Sequence, residues 1–467
     1  MNGTKDWLSN LKLRLSYGTS GSDNISSNLW RETWSSLGSG SNHTPINGEL
    51  GSFYRPDGLL ANSKLKWETT ISRNFGIDFG FLNNRVNGSL EVYWNTTKDL
   101  LMAVPVDNTT GYSYQFQNFG KTSNRGIELS VNVDVINKGD FRFNVGAIYN
   151  YNRNKLDELP NADQYLYSSY WGSSSLVPTN DYMFVEGKAI GLVRGFISEG
   201  YYTVDDFNYT NGQYVLKEGV PDITKALTAT YMHPYDLPAG QTAFPGAAKF
   251  RDVDESGTVD LDDATCLGEV MPRHTGSFQL NFNYKNFDLS TNFNWTAGGK
   301  VYNVAAMINA SGQEFDGIGA QRASWVADAF KVYNVNAAGD LYAVTNPDEL
   351  RALNANAKYH LPYHQSGITS SEWLENGSYL RLQTLTLGYT LPKNWLTKVH
   401  VDKIRLYLTA TNLFTITGYS GIDPEVNANP TGQSGFYSDL RIFPTLNMDF
   451  GTYPRARTFT FGANITF

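Results

Sequence analysis

The sequence predicts an all-β protein, an antiparallel up-and-down barrel of membrane-spanning strands. Three observations lead there. Aromatic side chains make up 14% of the 467 residues while Asp, Glu, Lys and Arg reach only 18%, against about 25% charged in an ordinary soluble domain. Apolar residues recur at every second position over long stretches, the period of a strand with two different faces. Very short connections alternate with long ones, as in a meander with turns at one end and loops at the other.

The strands follow in order. In 10–19, Leu11, Leu13, Leu15 and Tyr17 alternate with Lys12, Arg14 and Ser16. In 63–82, Phe75, Ile77, Phe79 and Phe81 alternate with Asn74, Gly76, Asp78 and Gly80, and Asn83-Asn84 turns the chain into 85–104. Ile127, Leu129, Val131 and Val133 face away from Glu128, Ser130, Asn132 and Asp134 in 118–136. After the turn at 137–140, 141–155 repeats the pattern from Phe141 to Tyr151. Strands 273–285 and 286–300 meet at Lys285-Asn286, 376–391 and 403–417 are joined by 392–402, and 454–467 closes the chain. The long connections are 18–62, 105–117, 156–185, 204–272, 303–376 and 418–453. Ten strands bring the chain back to the short-turn end, so Glu186–Tyr202 contributes two short strands or none.

A soluble β-sandwich shares the alternation, with its apolar face turned inward. Long strands, against ~5–6 residues in globular sheets, favour the barrel. So do charges in mid-strand (Arg14, Asp78, Glu91, Glu128, Asp134, Arg142, Arg405) and aromatics near strand ends, as expected of a wet lumen and an interfacial girdle.

The remaining composition works by exclusion. A net charge of −8 argues against nucleic acid, whose binding needs a basic surface. A lone cysteine, Cys266, permits no internal disulfide and reads as an inert thiol. The longest apolar run, 100–106, is far short of a membrane helix, whereas a mean hydropathy of −0.37 suits strands that are apolar on one face only. No basic-then-apolar leader precedes the first strand, which predicts a piece of a longer chain.

The C-terminal stretch carries specific motifs: Gly377–Leu382, Leu385–Pro392, Arg405–Leu408, Thr411–Phe414, Gly418–Gly421, Asp423–Val426 and Tyr453–Arg457 before the terminal Phe467. It closely resembles the SusC/RagA family of TonB-dependent outer-membrane transporters of Bacteroidetes, and Lys121–Glu128 and Pro245–Asp263 are similar to the same family. The resemblance implies a 22-stranded barrel with an N-terminal plug, a SusD-like lipoprotein lid, and a TonB-contact segment ahead of the plug. It implies import of oligosaccharides or peptides, without enzymatic activity. This chain shows neither plug nor TonB-contact segment, so residues 1–467 read as the C-terminal ten to twelve strands. A secreted Ca²⁺-dependent glycan-binding sandwich and a stand-alone small porin are the competing readings.

Asp252, Asp254, Ser256, Thr258, Asp260 and Asp263, with Gly257 at the turn, have EF-hand-like spacing, in which hard oxygens wrap Ca²⁺ and the glycine permits the bend. Asp263 stands where a bidentate Glu is usual, and flanking helices are not evident. The expectation is a structural calcium site in an isolated loop, 252–263; the alternative is a solvated acidic turn. His360 and His364 are four apart, but Pro362 intervenes and no Glu follows as in H-E-x-x-H, so zinc is not expected. The sequence carries no nucleophile elbow, P-loop or dinucleotide fingerprint, and carboxylates such as Asp157-Glu158 have no readable separation. Tyr165, Tyr167, Tyr170, Trp171, Tyr201 and Tyr202 are the candidate substrate contacts, since flat, stiff rings stack on sugars or peptide side chains; packing within the loops is the equal alternative.

Two geometric expectations complete the reading. Phe459, Phe461, Ala463, Ile465 and Phe467 should face lipid. Strands 10–19 and 454–467 should not pair with each other, because such pairing would close a small porin instead.

Overall fold

A computed structural model describes residues 7–22, 29–32, 34–36, 54–56, 59–112, 114–159, 164–169, 177–228, 233–311, 323–361, 367–396, 401–426 and 446–467. Ten strands form one antiparallel sheet in chain order: β1 (Leu8–Ser22), β2 (Glu68–Phe81), β3 (Val86–Lys98), β4 (Lys121–Lys138), β5 (Phe141–Glu158), β6 (His274–Tyr284), β7 (Phe287–Ala297), β8 (Tyr379–Thr390), β9 (Lys403–Thr417) and β10 (Thr458–Thr466). At the short-turn end, Leu82, Asn83, Asn84 and Lys285 take positive φ, the left-handed backbone that closes a tight hairpin. Among the described residues β1 pairs only with β2 and β10 only with β9. The sheet is therefore open, and the small closed porin is not what this chain forms.

Directly opposed residues of antiparallel strands share a face, so the register sorts the side chains. Leu15, Phe75, Val92, Ile127 and Tyr151 lie opposite one another in sequence across β1–β5 on one face. The same face continues to Leu408 and Phe461 on β9 and β10. Apart from the half-buried Tyr151, these side chains are exposed, with Leu15 at 86% and Phe461 at 75%. Phe459 and Ile465 are exposed on that face too, as is Phe467 at the end. A sandwich would have buried such a face against a second sheet; here lipid must cover it. Trp7 stacks on Phe81 at one margin, and Tyr17 stands exposed at the other. That is ~33 Å of strand, or about 25 Å along the membrane normal at a tilt of ~40°, the height of an apolar band.

The opposite face is polar. Arg14 reaches Asp78 at 2.8 Å and Glu91 at 2.5 Å, and Arg405 meets Asp288 at 2.5 Å. The mid-strand charges thus neutralise each other across neighbouring strands, which is what a wet wall requires.

A dry core does exist, but away from the sheet. The largest fully buried side chains, including Tyr182, Tyr202, Phe196, Phe244, Tyr302 and Leu350, all belong to the long connections. Two clusters of buried residues draw on the connections after β3, β5, β7 and β9 and fold them into a packed body. The Glu186–Tyr202 stretch resolves accordingly: Leu192–Gly195 and Ser198–Tyr201 are short strands of this body and neither joins the ten-stranded sheet.

Candidate functional site

The acidic loop lies in the excursion between β5 and β6. Its backbone is set by its own carboxylates. Asp252 accepts from the N–H groups of Ser256 (3.1 Å) and Gly257 (2.7 Å), and Asp254 from Ser256 (3.0 Å). Gly257 sits at φ +87°, where a side chain would be strained. The Asp263 carboxylate is fully buried and accepts from Val253 (2.5 Å) and Asp260 (2.8 Å), tying the end of the loop to its beginning. Ligand oxygens of Asp252, Asp254 and Asp263 all lie within 4.8 Å of one another. Hydrogen bonds from Ser256 hold the Asp254 carboxyl below its ordinary range, so it stays charged.

The other expected ligands are placed differently. The Ser256 hydroxyl donates to the Thr258 carbonyl at 3.0 Å, and Asp260 caps the single turn Leu261–Asp263 by accepting from Asp262 at 2.8 Å. Thr258-Val259 pairs in parallel with Asp222-Ile223, and Val259 is fully buried, so the loop is anchored to the body's core. Three carboxylates around one point form a hard-oxygen donor set, which fits Ca²⁺ rather than a softer metal.

The aromatic candidates divide. Tyr167 is buried and stacks on Phe184 with ring centroids 4.7 Å apart. Tyr202 is fully buried and donates to the Pro221 carbonyl at 2.7 Å, with the Lys249 ammonium 5.3 Å from its ring. Both rings are occupied in packing. Tyr165 is part-buried against the same cluster as Tyr167. Tyr201 is half-buried, donates to the Ala357 carbonyl at 3.1 Å and meets Phe330 edge-on. Tyr170 and Trp171 lie outside the described residues, as does His364. His360 is buried edge-on against Trp325, with its Nε2 3.8 Å from Glu372.

One cluster was not anticipated. Arg381, on the polar face of β8, is 2% exposed. It donates to Asp423 at 2.5 Å, to Glu425 at 2.9 Å and to the Thr415 hydroxyl at 3.0 Å, while Arg455 meets Glu425 at 2.8 Å. Glu375 accepts from the Ser420 N–H, and Tyr419 donates to Asp449 at 2.6 Å. These residues pin the loop after β9 onto the polar face. Arg381, Tyr419, Ser420, Asp423, Glu425 and Arg455 each sit in a motif singled out above, but sequence spacing alone does not say that the motifs meet.

An open sheet with a lipid-covered face, a polar face and a packed loop body defines an outer-membrane β-barrel protein. Comparison with known proteins narrows the class. The family described as TonB dependent receptor-like, beta-barrel, matches residues 4–413, and the chain belongs to that family. It is 30% identical over 98% of its length to TonB-dependent receptor P3 of Formosa agariphila, and 27% identical over 98% to TonB-dependent receptor SusC of Bacteroides thetaiotaomicron. It covers 39% and 38% of those proteins, and so spans about two fifths of the relatives it matches. The solved RagAB peptide transporter shares its fold, with a TM-score of 0.67 at 21% identity over 99% of this chain and 41% of that one.

Proposed function

We propose that the chain forms the C-terminal strands and extracellular loops of a TonB-dependent importer of the SusC/RagA type. It takes up oligosaccharides or peptides together with a SusD-like lipoprotein, and TonB engages a region outside these residues. The observation that carries this reading is the open sheet: both edges are unpaired among the described residues, and exposed backbone N–H and C=O groups in hydrocarbon cost several kcal/mol each. Further strands must therefore complete the wall. The packed body formed by the long connections supplies a folded surface for such a lipoprotein.

Calcium belongs to the same reading. Asp252, Asp254 and Asp263 hold the ion, with Ser256, the Thr258 carbonyl and Asp260 completing the ring when it binds. The ion's contribution is to neutralise three converging carboxylates and so order the loop.

Disruption of the gene in its own cells tests the function. Uptake of fluorescent oligosaccharide or peptide pools into the periplasm is expected to fall for one class, with the protein in the outer-membrane fraction beside a lipoprotein that co-purifies. Unchanged uptake of both classes, or recovery as a soluble monomer without detergent, overturns the reading.

A further inference from the structure

On the lipid-covered face the register places Tyr17, Arg73, Trp94, Arg125 and Arg153 opposite one another in turn across β1–β5. All five lie at the long-loop margin of the apolar band. Arg73 extends over the Trp94 ring at 5.6 Å and donates to the Thr96 hydroxyl at 3.4 Å. Arg125 and Arg153 are exposed, and no carboxylate among the described residues lies within ion-pair distance of either. This departs from the polar face, where Arg14, Arg381 and Arg405 each have a carboxylate partner. Arg125 and Arg153 are direct cross-strand neighbours, and like charges so placed are destabilising unless an anion lies between them.

Two cavities flank this pair. One, of about 390 Å³, is lined by Val92, Trp94, Arg125, Ile127 and Tyr151. The other, of about 210 Å³, is polar and is bordered by Arg153, Lys155, Lys188 and Arg273. The lining carboxylate is Glu269, held by Arg273 at 2.7 Å, while Lys155 lies 3.6 Å from Asp157. Among the described residues Arg73, Arg125 and Arg153 thus form a row of cations without a carboxylate partner, with Lys188 beside them in the second cavity, in a protein whose net charge is −8.

We propose that this face binds the phosphate-bearing headgroup of an outer-leaflet lipid, with Arg125 and Arg153 forking the phosphate and Arg73 beside them. Guanidinium groups match phosphate geometry with paired N–H donors. The aromatic and apolar cavity below takes the lipid's first carbons. A protein partner fits less well, because everything beneath the row is continuous with the surface that lipid covers.

The test uses the protein purified from outer membranes in mild detergent. Binding is read by native mass spectrometry with mixed micelles of diphosphorylated lipid A, its dephosphorylated form, and inorganic phosphate. The expected result is a preference of about tenfold or more for the phosphorylated lipid, lost in R125Q/R153Q and kept in R142Q, a cation on the polar face at the short-turn end. Equal binding of the two lipids by the unaltered protein overturns the proposal, whether or not the double variant folds. Full competition by inorganic phosphate at matched concentration assigns a free-anion site and overturns it too.

Discussion

Removing the Arg381 guanidinium tests the clasp that holds the loop after β9. In Arg381→Met the methylene stem is kept while Asp423, 6% exposed, and Glu425 lose their shared cation. Leaving a buried carboxylate unpaired costs about 3–5 kcal/mol, more than the intact network contributes on balance. The loop is the cheapest part of the structure to let go, so this cost should appear as local opening rather than global unfolding. The Ser420 and Glu425 amides, bonded to Glu375 at 2.7 Å and Asp423 at 2.9 Å, then exchange hydrogen about a hundredfold faster or more, since each 1.4 kcal/mol is a factor of ten. Asp423→Asn should restore much of that protection in the double variant, because the orphan charge is gone. Unchanged exchange in Arg381→Met, or strictly additive effects in the double variant, would refute the argument that the pair acts as a buried, mutually dependent unit.

Three further outcomes are expected. Asp263→Asn removes the charge at the loop's fully buried corner, and should abolish a calcium-dependent gain in protease resistance across 252–263; resistance indifferent to chelator in the unaltered protein would remove the calcium assignment. Burial pushes the Glu372 carboxyl up to about 7 and the His360 imidazole down to about 4. A raised carboxyl contributes stability that is lost as pH rises through 7, and a depressed imidazole stability that is lost as pH falls from 6.5 toward 4. Thermal unfolding of the loop body should therefore be best near pH 5–6, with Glu372→Gln recovering up to about 3 kcal/mol at pH 8; a variant with an unaltered pH profile sinks that account. Deleting Phe467, the exposed terminal aromatic of β10, should lower the heat-modifiable, membrane-assembled fraction in gel analysis, and an undiminished fraction would show that assembly does not read it.

How much of this was legible beforehand depended on the solvent each segment meets. All ten sheet strands were readable because water on one face and lipid on the other impose a strict period of two: the stretch 403–417 is strand Lys403–Thr417, and 141–155 is Phe141–Glu158. The loop body was not legible. Tyr202, Phe244 and Leu350 are buried together through loops and elements of no more than seven residues with no shared period, so nothing local marks them as core. Hence Tyr202 read as a candidate contact when its ring is interior. The acidic loop was legible in part, since spacing identifies which carboxylates can converge but not that Asp260 is taken by a helix cap. Arg381 was visible only as part of the motif Gly377–Leu382, and its partners lie 42 and 44 residues downstream.

The loop body also has an order of construction. The Tyr182 hydroxyl, fully buried, donates to the Leu446 carbonyl 264 residues later, and the Tyr302 N–H donates to the Asn447 carbonyl. A chain made from its N-terminus cannot finish this core until almost the last strand has been synthesised. However much of the sheet has formed, the aromatic interior of the body stays incomplete until residues 446–449 are in place, so the outer body is the part of the molecule that an incomplete C-terminus leaves unfinished.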